Sequence, residues 1–342
     1  LIRKIRVALS AKIRLIRKIR VANPRNPRCK KSAQSVKSAF HTRAQGKLLL
    51  TGEYVVLDGA RALAVPVRFG QSLWVTEGYS IGKLNWQSQN PDGSVWFEAE
   101  FAWPDFLPLG ASDENTAQTL AGILRACRRQ NPSFFIENQS FRITTQNDFP
   151  REWGLGTSST LIAALAKWAE LDPYQILFET LGGSGYDLAC AYAEGPILYH
   201  LEGKTPHIEA VSFVPGFSEQ LYFVFLGKKQ NSREGIARYR ERVSQNPEIL
   251  EQVSQLTQQF LAAKTLTEFD AILLEHEQLI GQTIGLPRAK DLYFSDFWGE
   301  VKSLGAWGGD FVLVTSERPE VETRAYFRGK GLEVFLSWRE MV

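Results

Sequence analysis

The sequence predicts a mixed fold of strands and helices in two domains, and three observations lead there. A chain of 342 residues with 44% hydrophobic content can fill two cores of ordinary size. Its first half is rich in short runs that alternate apolar and polar residues between turn signals, as half-buried antiparallel strands do. Near residue 205 the pattern changes to a strand, a basic loop and long amphipathic helices, so a boundary is placed there.

The elements follow in order. "GKLLLTGEYVVLDGARALAVPV" reads as two apolar β-rich runs broken by Gly-Glu and Asp-Gly bends, and "QSLWVTEG", "GKLNWQSQN" and "SVWFEAEF" continue the strand pattern. "NTAQTLAGILRACRRQNP" sets Leu120, Ile123, Leu124 and Cys127 on one helical face and stops at Asn-Pro. "FFIENQSFRITTQNDFP" returns to strand. "PREWGLGTSST" then leads into a helix over about 158–171, and a further helix over 172–181 starts from Asp-Pro. "GGSGYDLACAYAEGPILYHLEG" gives a glycine turn, a short helix and a strand, and the chain closes with a strand from "GAWGGDFVLVTS", a helix and a last strand.

Residues 1–43 stand apart. They hold 14 of the 40 Lys and Arg residues and no Asp or Glu, which leaves 26 basic against 37 acidic residues, a net of −11, for the rest. "LIRKIRVA" occurs twice in this leader, at 1–8 and 15–22. A nucleic-acid or anionic-membrane arm, a targeting peptide, and residues foreign to the natural folded protein compete as readings. The last is favoured, because the chain opens on Leu1 and its only methionine is Met341. The domains are accordingly drawn as 44–205 and 206–342.

No run approaches the roughly 18 apolar residues of a membrane span. Cys29, Cys127 and Cys190 are scattered, form no CxxC pair and cannot make an even disulfide set, which suits a reducing cytoplasm. His41, His200, His207 and His276 show no metal-ligand spacing, and no G-x-S-x-G elbow is present, so zinc-enzyme and serine-hydrolase readings fall away.

The chemistry concentrates in the glycine stretches. In "GLGTSS", Gly154 and Gly156 let the backbone turn tightly and let a phosphate approach main-chain N–H groups, while the following helix presents its positive end. The third glycine of G-x-G-x-x-G is replaced by Ser159, which argues against a dinucleotide fold, and no G-x-x-x-x-G-K-[ST] exists, so this is not a Walker-type fold. By itself the loop is equally well a serine-capped helix start. "GGSGYD" puts Asp187 just past a tight turn, a rigid place for a general base and equally the usual place for a helix-capping Asp.

Together, "QGKLLLTGEYVVLDGA", "PREWGLGTSST", "GSGYDLACAYAEG" and "GAWGGDF" resemble the ordered motifs of the GHMP small-molecule kinases, a superfamily that includes galactokinase and homoserine, mevalonate and phosphomevalonate kinases. The resemblance spans residues 44–342 and is closest to the phosphomevalonate and mevalonate kinases. It implies an α+β fold of two domains with the nucleotide cleft between them, and ATP and Mg²⁺ as cofactors.

Carried over, the resemblance makes Gly154, Leu155, Gly156, Thr157, Ser158 and Ser159 the loop that wraps the ATP phosphates, with Ser158 also on Mg²⁺. Asp187 becomes the carboxylate that accepts the substrate proton and Lys47 the cation beside it. The two must converge although 140 residues separate them. Glu53, Ser184, Gly185, Gly305, Gly308 and Gly309 are expected to face the substrate. Glu179 is the nearest candidate for a second metal ligand, though it lies closer to Asp187 than the pattern requires. Trp307, where a small residue is common, is expected to narrow the late glycine loop and reshape the substrate pocket, and Lys228, Lys229, Ser232 and Arg233 offer a grip for an acidic substrate or a plain solvated loop.

The function so implied is ATP-dependent phosphorylation of a small acidic metabolite of the mevalonate route, phosphomevalonate or mevalonate. Another hydroxyl substrate such as homoserine or a sugar, a diphosphomevalonate decarboxylase, and a non-catalytic ligand-binding member of the fold are the alternatives. No nucleic-acid or membrane partner is expected, and the state is monomer or homodimer.

Overall fold

The computed structural model describes residues 40–342 except 79, 134–138, 228–231 and 243–245. The repeats of the basic leader, Cys29, Lys228 and Lys229 lie outside the described residues, and for Ser232 and Arg233 only the helical backbone is described.

The first sheet is built on one long strand. β1 (Phe40–Leu49) pairs antiparallel along one edge of β2 (Ala62–Glu77). On the other edge β2 pairs first with β7 (Ile197–Glu202) and then with β6 (Phe141–Asn147). β3 (Lys83–Gln89), β4 (Val95–Ala102), β5 (Leu107–Ala111) and β8 (Thr205–Ala210) complete the order β5-β4-β3-β6-β2-β7-β8, with β3 and β6 parallel. Among the described residues, four helices belong to this half. They are α1 (Glu114–Gln130), α2 (Thr157–Ala169), α3 (Pro173–Thr180) and α4 (Tyr186–Tyr192).

The second sheet, β10-β11-β9-β12, is antiparallel and is formed by Leu221–Phe225 (β9), Val301–Ser303 (β10), Phe311–Thr315 (β11) and Phe335–Ser337 (β12). Among the described residues, six helices accompany it: α5 (Ser232–Arg242), α6 (Pro247–Ala262), α7 (Leu266–Ile284), α8 (Ala289–Tyr293), α9 (Glu320–Gly329) and α10 (Trp338–Met341). The sheets change over 211–220, so the boundary expected near 205 falls at the start of β8, which still pairs with β7.

Helix boundaries follow local chemistry. Asp113, Asp172 and Asn246 cap α1, α3 and α6 by accepting the backbone N–H groups of Thr116, Tyr174 and Glu248. α7 begins with a reciprocal Thr265–Glu268 capping box. On the sheet of the first half, Leu73, Val75, Leu84, Phe97 and Phe101 pack against Leu120, Ile123 and Leu124 of α1 and Ile162 and Leu165 of α2. β11 is buried at every position, which explains its unbroken apolar sequence "FVLVT". Phe311 and Leu313 join a core shared with Leu48, Leu63 and Val65 of the first sheet, whereas Val312 and Val314 pack with Phe294 and Phe327. That core draws on both sheets.

Two expectations are corrected here. "VVLD", read as part of a strand, is a 3-10 turn over Val55–Asp58 in which Val55 and Val56 are buried, so packing overrides the β preference of valine. "QSLWVTEG" is not a separate strand but the second half of β2.

Candidate active site

The site begins with an irregularity in β1. Between Gln45 and Lys47 the register with β2 shifts, and the partner of Lys47 is Pro66, which has no N–H to contribute. The Lys47 N–H leaves the ladder and donates to the carbonyl of Leu155 in the glycine loop, 3.1 Å away. Gly46 makes that approach possible, since a methyl group there would stand 2.7 Å from the same carbonyl oxygen. Strand and loop are thus joined by backbone.

The Lys47 side chain makes a second connection. Nζ donates to the Gly154 carbonyl at 3.2 Å and lies 3.4 Å from Asp187 Oδ1. The ammonium also stands 5.5 Å from the centre of the Tyr186 ring, a cation–π contact. Burial opposes the charge, but Tyr186, Asp187 and Asp310 together hold the lysine above its ordinary range. Lys47 is therefore a fixed cation throughout neutral pH. The expected convergence of Lys47 and Asp187 is present, and Gly156 fills the space against both: a methyl group there would touch Lys47 Cγ and Cε at 3.4 Å and approach Asp187 Oδ1 to 3.9 Å.

Gly154 and Gly156 have φ of +69° and +94°, which suits glycine. Of the hydroxyls that follow, Ser158 is exposed and Thr157 half-buried, at the head of α2. Ser159 and Thr160 are buried. Thr160 Oγ1 bonds the carbonyls of Gly156 and Thr157 and the Gln71 side chain, and Leu155 packs its side chain into the shared core. Of this loop's hydroxyls, those of Thr157 and Ser158 are left open to a ligand.

They border a cavity of about 310 Å³, also lined by Trp86, Trp96, Asn115 and Arg151. The N-termini of α1 and α2 both reach it; that of α1 is capped by Asp113 and followed by Glu114, whereas that of α2 has no side-chain cap and presents its positive end.

The late glycine loop also arrives, through a residue that the motif reading did not weigh. Asp310 has a φ of +52° and presses its carboxylate onto Gly154, where any β-carbon would collide with it. Gly305 stands beside the same carboxylate and Gly309 closes the turn by bonding Ala306, so Gly305, Gly308 and Gly309 shape the loop that carries Asp310. The available signal was a charged residue at the head of a fully buried strand, a place that asks for a partner.

Several expected positions lie elsewhere. Glu53 does not face a substrate cleft: its carboxylate is 1% exposed and binds Lys302 Nζ at 2.6 Å. Ser184 is buried, with its carbonyl accepting from the Tyr199 hydroxyl, and Gly185 packs against Tyr174 and Tyr199, so both serve the turn that aims Asp187. Glu179 pairs with Arg129 of α1, which commits its carboxylate away from the loop. Trp307 is 6% exposed, donates from its indole to the Pro287 carbonyl and packs with Tyr54, Ile280 and Ile284, so it anchors the loop.

Around Glu53 lies a buried charged cluster that joins the two halves of the chain. Lys302 Nζ is 3.6 Å from Glu277 Oε1, which accepts the Ser303 N–H. His276 Nε2 accepts the Gly52 N–H at 3.0 Å, so this nitrogen carries no proton and its 3.6 Å approach to Glu53 is not an ion pair. Burial depresses the His276 pKa and pushes Glu277 up to about 8.

Two opposite pH dependences follow. Glu277 has a raised folded-state pKa, so its stabilising contribution is complete below about 4.5 and is lost as pH rises through about 8. His276 has a lowered one, so its contribution is present above 6.5 and is lost as pH falls. Glu277→Gln is expected to flatten the alkaline decline of the melting temperature between pH 5 and 8 and to leave the acid limb in place. Parallel melting profiles for the two proteins would contradict the assignment.

Among the described residues, no group of three or more His, Cys, Asp and Glu could hold a metal ion by itself. Magnesium asks for less, since one or two carboxylates suffice when phosphates and water supply the rest. Asp310 beside Gly154, Asp187 beside Gly156 and the exposed Ser158 hydroxyl are oxygen donors around one loop, and this set fits such an ion.

No family model matches the sequence, and no curated protein does either. Solved structures do match. Mevalonate kinase of Methanococcus jannaschii superposes with a TM-score of 0.65 at 16% identity, over 88% of this chain and 98% of the other. Phosphomevalonate kinase of Streptococcus pneumoniae, in complex with phosphomevalonate and AMPPNP, gives 0.64 at 16% identity, over 87% and 99%. Galactokinase of Lactococcus lactis, complexed with galactose, gives 0.64 at 13% identity, over 88% and 93%. The chain has the two-domain fold of the GHMP kinases.

Proposed function

We propose that the chain is an ATP-dependent kinase of the GHMP type that phosphorylates a small acidic metabolite of the mevalonate route, phosphomevalonate or mevalonate. The observation that carries this reading is the meeting of Lys47 and Asp187, 3.4 Å apart, against Gly156 of the glycine loop. Phosphoryl transfer asks for positioning and charge neutralisation above all, and these are what the site offers. The AMPPNP complex of a structural neighbour favours ATP as donor.

In this reading the cavity beside Thr157 and Ser158 takes the nucleoside, and its phosphates lie along the loop between the N–H groups at the start of α2 and Lys47. Asp187 receives the proton of an attacking hydroxyl on its carboxylate, while the Lys47 ammonium stabilises negative charge on the acceptor oxygen. Ser158, with Asp310 or Asp187, would hold Mg²⁺, which supplies neutralising charge to the phosphates. An acceptor that is itself a phosphate is already ionised near neutral pH, and Asp187 then orients Lys47 without taking a proton.

The galactokinase match keeps a sugar acceptor as the second reading. Among the described residues, no helix is long and apolar enough to cross a membrane. Cys127 and Cys190 are free and buried, which is compatible with the reducing cytoplasm proposed as its compartment. Incubation with ATP, Mg²⁺ and mevalonate, phosphomevalonate, homoserine or galactose tests the reading: ADP is expected to accumulate with one of the first two. Turnover with galactose alone would establish the second reading instead.

A further inference from the structure

Arg151 opens the short turn Arg151–Trp153 that runs into Gly154. Its guanidinium carbon stands 3.4 Å from the centre of the Trp96 ring, and both residues line the cavity that reaches Thr157 and Ser158. Two carboxylates are near enough to act on it through their field, Glu152 and Asp113. Neither forms an ion pair with it, and Asp113 is engaged in capping α1. Among the described residues the guanidinium has no hydrogen-bonded partner, although burial works against its charge.

A guanidinium stacked by its face keeps the N–H donors of its edge, and that planar fork matches phosphate oxygens. The start of α2, which has no side-chain cap and no acidic residue in its first turn, also reaches the cavity and favours an anionic ligand. A simple surface stack would leave the cation facing water. Here it faces a cavity beside two free hydroxyl-bearing residues.

We propose that Arg151 is a phosphate-binding residue of this cavity, its face held on Trp96 and its edge donating to the phosphates of a bound nucleoside polyphosphate. The proposal rests on the reading of the cavity as the nucleotide site, and adds a second cation, on the turn that precedes the loop.

Calorimetric titration of the full chain with adenosine, ADP and ATP tests it, using wild type, Arg151→Gln and Arg151→Lys. Loss of a charge-assisted hydrogen bond is expected to weaken ADP and ATP binding by roughly 10- to 100-fold in the glutamine variant. Adenosine affinity should be unchanged, and the lysine variant should recover part of the loss with a wild-type melting temperature. ADP binding unchanged in Arg151→Gln would overturn the proposal, as would an equal loss for adenosine and ADP, which would make Arg151 a wall of the base pocket. Both of those outcomes leave the kinase reading standing. A wild-type protein that bound no nucleotide would overturn both together.

Discussion

Asp187→Asn is expected to lower kcat for a hydroxyl acceptor by about 10²- to 10⁴-fold, the usual contribution of a positioned general base. Nucleotide affinity and melting temperature should stay close to wild type, because the amide preserves the shape of the side chain at the head of α4. Lys47 keeps its bond to the Gly154 carbonyl and its contact with Tyr186, so the loop should not move. The size of the loss also reports on the acceptor: a phosphate, ionised before it attacks, needs no base and should suffer less. Steady-state kinetics with mevalonate and phosphomevalonate would measure both. Unchanged kcat for each would remove Asp187 from the chemistry.

Glu53→Ala is expected to cost about 3–5 kcal/mol of stability, since it leaves the Lys302 ammonium buried without its nearest counter-ion. Lys302 is 0% exposed, and Glu277 remains only at 3.6 Å. The pair joins the turn after β1 to β10, so unfolding should stay cooperative while its midpoint falls. The double variant Glu53→Leu, Lys302→Met should recover most of the loss, because an apolar pair of similar volume avoids the desolvation cost altogether. Urea unfolding of wild type, Glu53→Ala and the double variant checks the claim. A single variant within about 0.5 kcal/mol of wild type would contradict the claim, since that is the size of effect expected of a surface residue.

The reach of the sequence differed from residue to residue for physical reasons. The helices were legible because caps such as Asp113, Asp172 and Asn246 mark their starts and apolar periodicity marks their buried faces. The glycine loop was legible because close backbone approach admits few residue types, and Gly154 and Gly156 do carry the positive φ that motif implies. Glu53 was misplaced because a glutamate in a glycine turn looks solvent-facing until its partner is known, and Lys302 lies 249 residues away. Trp307 looked like a pocket wall for the same reason, its partner being the Pro287 carbonyl. Asp310 and Arg151 stood inside quoted motifs, but a charge in a loop is ordinary until the fold sets it against Gly154 or Trp96.

The central claim is that Lys47, Asp187 and the loop 154–158 form one phosphoryl-transfer centre. Phosphorus NMR of the protein with ATP, Mg²⁺ and, in turn, phosphomevalonate and mevalonate tests it most directly. The γ-phosphate signal of ATP is expected to be replaced by those of ADP and a newly phosphorylated acid, and Asp187→Asn is expected to slow the change. An ATP spectrum that stayed unaltered with both acids, and equally with homoserine and galactose, would contradict it.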